Sequence, residues 1–168
     1  SRLMLATGSM NNAKVVQQDL FDIAQKIRIP MDSLGQLYVR TAEPMRDLGK
    51  TSKETMNMVE GVAIALKLGG STAAEASSVL LQFSQSIRAG RLNGAEFNAV
   101  AEGAPIILSA LRKELEKTGK QISLGDLKKM GADGKLSVEL IQRSLANVLP
   151  EWREKFSQLP LTVDDAMQ

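Results

Sequence analysis

A chain with no histidine and no cysteine is cut off from most side-chain chemistry. Cys/His zinc sites, histidine-based triads, Cys–His dyads and thiolate nucleophiles are all removed, and disulfides with them. Carboxylates and lysines remain. Glu96 and Glu102 are the two carboxylates of the stretch Gln82–Pro105, and a paired acid and base can cleave glycosides. Six residues along one helix amount to ~600° of rotation, which sets the two on different faces. A helix cap and a solvated charge account for them without chemistry, so no catalytic residue is nominated.

Two further motifs invite a ligand. Gly49-Lys50-Thr51 copies the end of a phosphate-binding loop. That loop needs another glycine where Pro44 stands, and a preceding strand where a helix is expected. The residues read as a helix stop followed by a cap. Asp133-Gly134-Lys135-Leu136-Ser137 looks like the middle of a calcium loop. With Gly134 in the sixth place, Lys129, Gly131 and Leu140 would fill the first, third and twelfth ligand positions, and none offers a carboxylate to a hard cation. No metal or cofactor is expected. Gln82 and Gln85, beside Phe83, form a polar edge next to an apolar stripe, to bond across helices or to face solvent.

The elements that would position these residues are all helical. Hydrophobic residues make up 43% of the 168 and aromatics only 4%, so the chain is globular with an aliphatic core. Eight methionines make that core adaptable. The net charge of +2, without a run of basic residues, gives no argument for nucleic acid or an anionic membrane. No run approaches the ~20 apolar residues of a membrane span. The opening Ser1-Arg2-Leu3-Met4 lacks a signal-peptide pattern, and the chain reads as a piece of a longer protein.

Residues 1–9 read as a lead-in broken at Thr7-Gly8-Ser9. Asn11 or Asn12 then caps a helix with the stripe Ala13, Val16, Leu20, Ile23 and Ile27, at alternating spacings of three and four. Ile29-Pro30 ends it. A second helix starts near Asp32 with Leu34, Leu37, Tyr38, Met45 and Leu48 inward, and Pro44 predicts a kink or split near Thr41. Thr51-Ser52-Lys53-Glu54 and Thr72-Ala73-Ala74-Glu75 are capping boxes. The helices they open carry Met56, Val59, Ala63 and Leu66, and Ala73, Ala76, Leu80, Phe83 and Ile87. The two units look alike, but two copies do not make a solenoid.

Gly90 suits a left-handed C-cap. Leu92 is placed to fold back on the preceding helix, Asn93 with Glu96 opens the next, and Pro105 suits the first turn of another. That helix runs from Ile106 to Lys117 with Leu108, Leu111 and Leu115 inward. Ser123 with Asp126 caps a short helix reaching Met130, and Asp133-Gly134 is a tight turn. A last long helix carries Val138, Ile141, Leu145, Val148, Trp152 and Phe156, with Pro150 expected to bend or divide it. Thr162 opens a further helix. The expectation is an all-α, compact bundle of about seven to eight short helices without a sheet. Its domain spans 10–157, with possible lobes 10–90 and 91–157, and 158–168 begins a following segment.

The stretch from Gln82 to Pro105 also carries a family resemblance. Q-x-x-Q at Gln82 and Gln85, G-x-L-x-G over Gly90, Leu92 and Gly94, E-F-N over Glu96, Phe97 and Asn98, and E-x-A-P from Glu102 to Pro105 resemble the tape measure domain of bacteriophage tail-length tape measure proteins. Leu127-Lys128-Lys129-Met130-Gly131-Ala132-Asp133-Gly134-Lys135-Leu136 agrees with the family's L-K-x-M-x-x-D/E-G-x-L. The likeness is strongest from about Leu80 to Leu136. It implies a structural protein of a phage or prophage tail that sets tube length during assembly and leaves before DNA passes. The implied partners are tail-tube and tail-tip proteins, assembly chaperones and other copies of itself, in the virion tail and, during assembly, the host cytoplasm. Gln82, Gln85, Gly90, Leu92, Gly94, Phe97, Asn98, Glu102 and Pro105 are the residues it marks for fold or contacts. A carboxylate-based muralytic domain and a generic helical adaptor with an exposed methionine-rich groove are the rival readings.

Overall fold

The computed structural model describes residues 2–8, 10–92 and 94–160. Within them the chain forms α1 (Arg2–Thr7), α2 (Met10–Ile27), α3 (Met31–Asp47), α4 (Ser52–Leu68), α5 (Ala73–Ala89), α6 (Gly94–Gly103), α7 (Pro105–Leu115), α8 (Leu124–Ala132) and α9 (Val138–Ser157). One turn of 3-10 helix, Glu116–Thr118, prolongs α7. Among the described residues there is no strand, only a single antiparallel bridge between Arg91 and Ser137. The all-α expectation holds. The helix beyond the expected seven or eight is α1, whose six residues are too few to show a period.

Local chemistry sets most of the boundaries. Thr51 and Glu54, Thr72 and Glu75, and Ser123 and Asp126 each form a reciprocal capping box, satisfying orphan N–H groups at three helix starts. Gly90 closes α5 at φ 88°, a conformation a side chain would resist. Pro105 stands in the first turn of α7.

Packing sets the rest. In α4 every residue from Thr55 to Leu66 except Asn57 is buried, because apolar residues occupy all sides of this helix and neighbours cover all of it. The expected stripe of Met56, Val59, Ala63 and Leu66 is only part of that surface. Helix α9 runs antiparallel to α4: Leu145 and Leu149 lie against Gly61, while Arg153 reaches Glu60 and Asn57. Helix α3 packs on α5, and α7 on α9. One apolar core runs from Val16 to Trp152.

Several expectations are corrected. Helix α3 is not split near Thr41 and α9 is not divided at Pro150, since both run on through their prolines and buried residues on both sides of each share one core. Thr41, Ala42 and Met45 do so in α3, and Val148, Leu149 and Trp152 in α9. Leu48 is 42% exposed, because the helix ends before turning it inward. Asn11 and Asn12 lie inside the first turn of α2 rather than capping it. Ile23, Ala73, Leu115 and Phe156 are half-buried, at the margin of the core. The proposed Asn93 cap and the helix expected at Thr162 lie outside the described residues.

Candidate functional site

The two motif-bearing stretches meet in one joint. The Leu92 N–H donates to the Leu136 carbonyl at 2.8 Å, and the Val138 N–H to the Gly90 carbonyl at 3.3 Å. Around this clasp Leu92, Leu136, Leu127 and Phe97 are all buried. A Cβ on Gly131 would lie 3.3 Å from both the Leu92 carbonyl oxygen and the Phe97 ring, so this glycine gives the ring its seat. The Arg91 side chain lies over Gly134, which turns at φ 73°. Leu92, expected to fold back onto α5, is thus also tied through its backbone to the segment before α9.

A second close approach braces the far end of α6. A Cβ on Gly103 would fall 2.6 Å from Val79 Cγ2 on α5, and one on Gly69 would fall 2.9 Å from the Gly103 carbonyl oxygen. The Ser71 hydroxyl donates to that same carbonyl at 3.2 Å. Ala104 next to it is fully buried.

Of the nine marked residues, Leu92 and Phe97 are core and Gly90 is the left-handed cap. Gly94 has φ 55°, and Pro105 is exposed at its helix start. Gln85, Asn98 and Glu102 are exposed, Gln82 is half-buried, and none of the four has a hydrogen bond or ion pair among the described residues. Asn98 and Glu102, one turn apart on α6, share a face. Glu96 is half-buried.

Elsewhere the polar groups that matter are ones the motifs do not mark. Glu60, in the apolar run of α4, is 8% exposed. Arg153 grips it with two bonds, Nε to Oε2 at 3.0 Å and Nη2 to Oε1 at 2.6 Å, a fork geometry suited to carboxylate. Lys26 Nζ stands 3.9 Å away. The bond to Glu60 holds the Arg153 guanidinium above its ordinary pKa. The signal was in the sequence: Glu60 is the one charge between Met56 and Leu66. Glu114 receives Lys117 at 2.8 Å, Arg143 at 3.0 Å and Asn147 at 2.7 Å, joining α7 to α9. The Lys117 bond above all, aided by Asn147 and Arg143, holds its carboxyl below the usual range, against opposing desolvation.

A cleft of about 890 Å³ opens between α2 and the α3–α4 turn. Asp19 and Asp22 lie on its α2 wall, Arg46, Lys50 and Lys53 on the other, and Tyr38 and Glu60 also line it. Burial pushes the Tyr38 phenol above its usual 10; Arg46 opposes the shift and Asp19 adds to it. Neither Glu96 nor Glu102 lines this cleft. Among the described residues no group of acidic side chains is placed to hold a metal ion. No helix there is long and apolar enough to cross a membrane.

A helical bundle clasped by its own motif residues defines a structural module. The particular family comes from comparison: the chain belongs to the tape measure protein family, whose model matches residues 1–168, well beyond the stretch where the motifs are densest. It is accordingly a domain of a phage tail tape measure protein, a structural component of the virion tail. No curated protein and no solved structure matches the chain.

Proposed function

We propose that this domain serves tail-tube length determination and assembly as a folded docking module, through protein–protein contacts, rather than as the ruler itself. The observation that carries this reading is the shared core. The longest helix has 20 residues, and α2 to α9 each bury a face in one cluster. Stretched as one helix, 168 residues would span ~250 Å, but such a rod would expose every one of those faces to water. A globular fold of this length has a diameter of ~40 Å.

On this reading 10–157 is one folding unit. The lobes 10–90 and 91–157 share the α4–α9 packing, and 158–168 leads into the next segment of the parent chain. Gln85, Asn98 and Glu102, exposed and unpaired, are the contact candidates, with Gln82 beside them; Leu92, Phe97 and the glycines shape the joint. The partners are tail-tube and tail-tip proteins, assembly chaperones and other copies, met in the host cytoplasm during assembly and then in the tail. The domain is not an enzyme on this reading, since Glu102 stands exposed on α6 and neither it nor Glu96 lines the cleft beside α2.

Deleting 10–157 in the parent phage and imaging the tails tests this reading. Failed assembly, or tails of uncontrolled length, is the expected result. Well-formed infectious tails shortened by roughly 200 Å would mean the segment is stretched helix in the tube, and the docking reading would fall.

A further inference from the structure

The cleft beside α2 has the form of a trough between helices. One side is a single stripe of α2, where Asn12, Val15, Asp19, Asp22 and Lys26 all line it. Their spacings of three and four keep them on one face, and from Asn12 to Lys26 the helix rises ~21 Å. The other side is the end of α3 and the first turns of α4, with Arg46, Lys50, Lys53 and Asn57. Val16, Ala42 and Met56 give it an apolar floor, and Val15 on the α2 rim is left 61% exposed. A trough of that length matches about four turns of a further helix, and an apolar floor between polar rims is how a groove receives one.

The two sides carry opposite charge and leave it unpaired. Among the described residues Asp19 forms no ion pair, and Asp22 has only the Gln18 amide. Facing them, Lys50 and Lys53 form no ion pair among the described residues, and the Arg46 guanidinium donates to the Ala6 carbonyl. Asp19 and Arg46 act with opposite sign on the Tyr38 phenol between them, so both charges bear on the trough. The walls are not free to close and pair them. Helix α2 is anchored along its length by Ala13, Val16, Leu20, Ala24 and Ile27, and α4 is buried on nearly all sides. Glu60, at the inner end, is already held by Arg153 and Lys26. The remaining counter-charges are left for an occupant to bring.

We infer that the trough seats an amphipathic helix of a partner protein, its apolar face on Val16 and Met56, a basic edge along Asp19 and Asp22, and an acidic edge along Lys50 and Lys53. Turning a helix end for end exchanges its edges, so the charged walls also dictate the direction in which the partner helix runs. None of Gln85, Asn98 and Glu102 lines this trough. The inference therefore stands or falls separately from the contacts proposed at those residues.

The test uses stapled helical peptides of ~15 residues with an alanine–leucine face, titrated with the chain 1–168 at up to millimolar concentration and followed by fluorescence anisotropy. A peptide with lysines on one edge and glutamates on the other should bind, and so should its counterpart with the edges exchanged. A nitroxide at the peptide N-terminus should broaden the amide signals near Asn12 with one of the two and those near Lys26 with the other. Reversing one wall, in D19K/D22K or in K50E/K53E, should weaken binding about tenfold, because two rim ion pairs become two repulsions. Reversing both walls together should restore binding with the direction inverted. None of these four residues is buried, so the variants should melt like the wild type. Equal binding by a peptide with glutamates on both edges would reduce the trough to an anion site and overturn the inference. Self-association of the chain alone, abolished in D19K/D22K, would assign the trough to a second copy and overturn it too. No binding by either mixed peptide, or a direction indifferent to the charge pattern, would refute it outright.

Discussion

Replacing Gly103 by alanine tests the close approach at the end of α6. The new Cβ would sit 2.6 Å from Val79 Cγ2 and 3.5 Å from both Val79 Cβ and Cγ1. Real Cβ atoms do not come that near, so something must move. Valine in a helix holds one rotamer strongly, and Val79 is half-buried on α5, so the side chain cannot simply swing away. Overpacking of this kind costs ~1–3 kcal/mol. Against it stands the helix preference of alanine over glycine, at most ~1 kcal/mol and less at the last residue of a helix. The net expectation is a loss of ~1–2 kcal/mol, or roughly 2–8 °C in Tm for a chain of this size. Urea melts of the wild type, Gly103→Ala, Val79→Ala and the double variant give the full cycle. Removing the valine methyls makes room for the new Cβ, so the double variant should be better than additive by ~1 kcal/mol. A neutral or stabilising Gly103→Ala, or a strictly additive cycle, would refute the reasoning and show that α5 and α6 can part at no cost.

Three other outcomes are expected. Phe97→Ala should lose ~3–5 kcal/mol in denaturant melts, since the buried ring fills the seat at Gly131; a loss below ~1 kcal/mol would place the anchor of the joint elsewhere. Arg153→Ala should destabilise more than its exposure suggests, by ~1–3 kcal/mol, because it leaves a buried Glu60 carboxylate poorly compensated, and Glu60→Gln in the same chain should recover part of the loss in a double-mutant cycle. Glu114 has a folded pKa below its ordinary 4.5, so its stabilising contribution is present above that value and lost as pH falls through the lower folded pKa; the acid limb of stability against pH should be shallower in Glu114→Gln, and an unchanged limb would dismiss that account.

What could be read from the sequence was what neighbours in the chain decide. A capping box needs two residues three apart; both proposed boxes formed, and the proposed Ser123–Asp126 cap proved to be a third. Gly90 needed only the helix before it. The division of a helix that each proline allowed did not occur, for the opposite reason: the local penalty at Pro44 and Pro150 is real, but buried residues on both sides hold each helix to the core, and packing outweighs one missing N–H. Gly103 and Gly131 carried no legible signal, because their need for a bare Cα comes from Val79 and from Phe97 and Leu92, residues more than twenty positions away. The charge of Glu60 within an apolar run was visible, yet its partner Arg153 lies 93 residues further on. For the same reason the meeting of the two motif stretches, Leu92 against Leu136, could be seen only in the fold.

The antiparallel pairing of α4 and α9 also sets how the domain responds to force. Tension entering through the chain after Pro160 acts first on the last turn of α9, not on the whole helix at once. Contacts then fail one after another, as in opening a zip, beginning with Phe156 at the core margin and passing to the Arg153 fork and the Trp152 burial. Behind them lies Pro150, where the helix lacks an N–H to hold its i−4 carbonyl, and beyond it the buried residues from Val138 to Leu149. The same load spread in parallel along α9 would meet all of its contacts together.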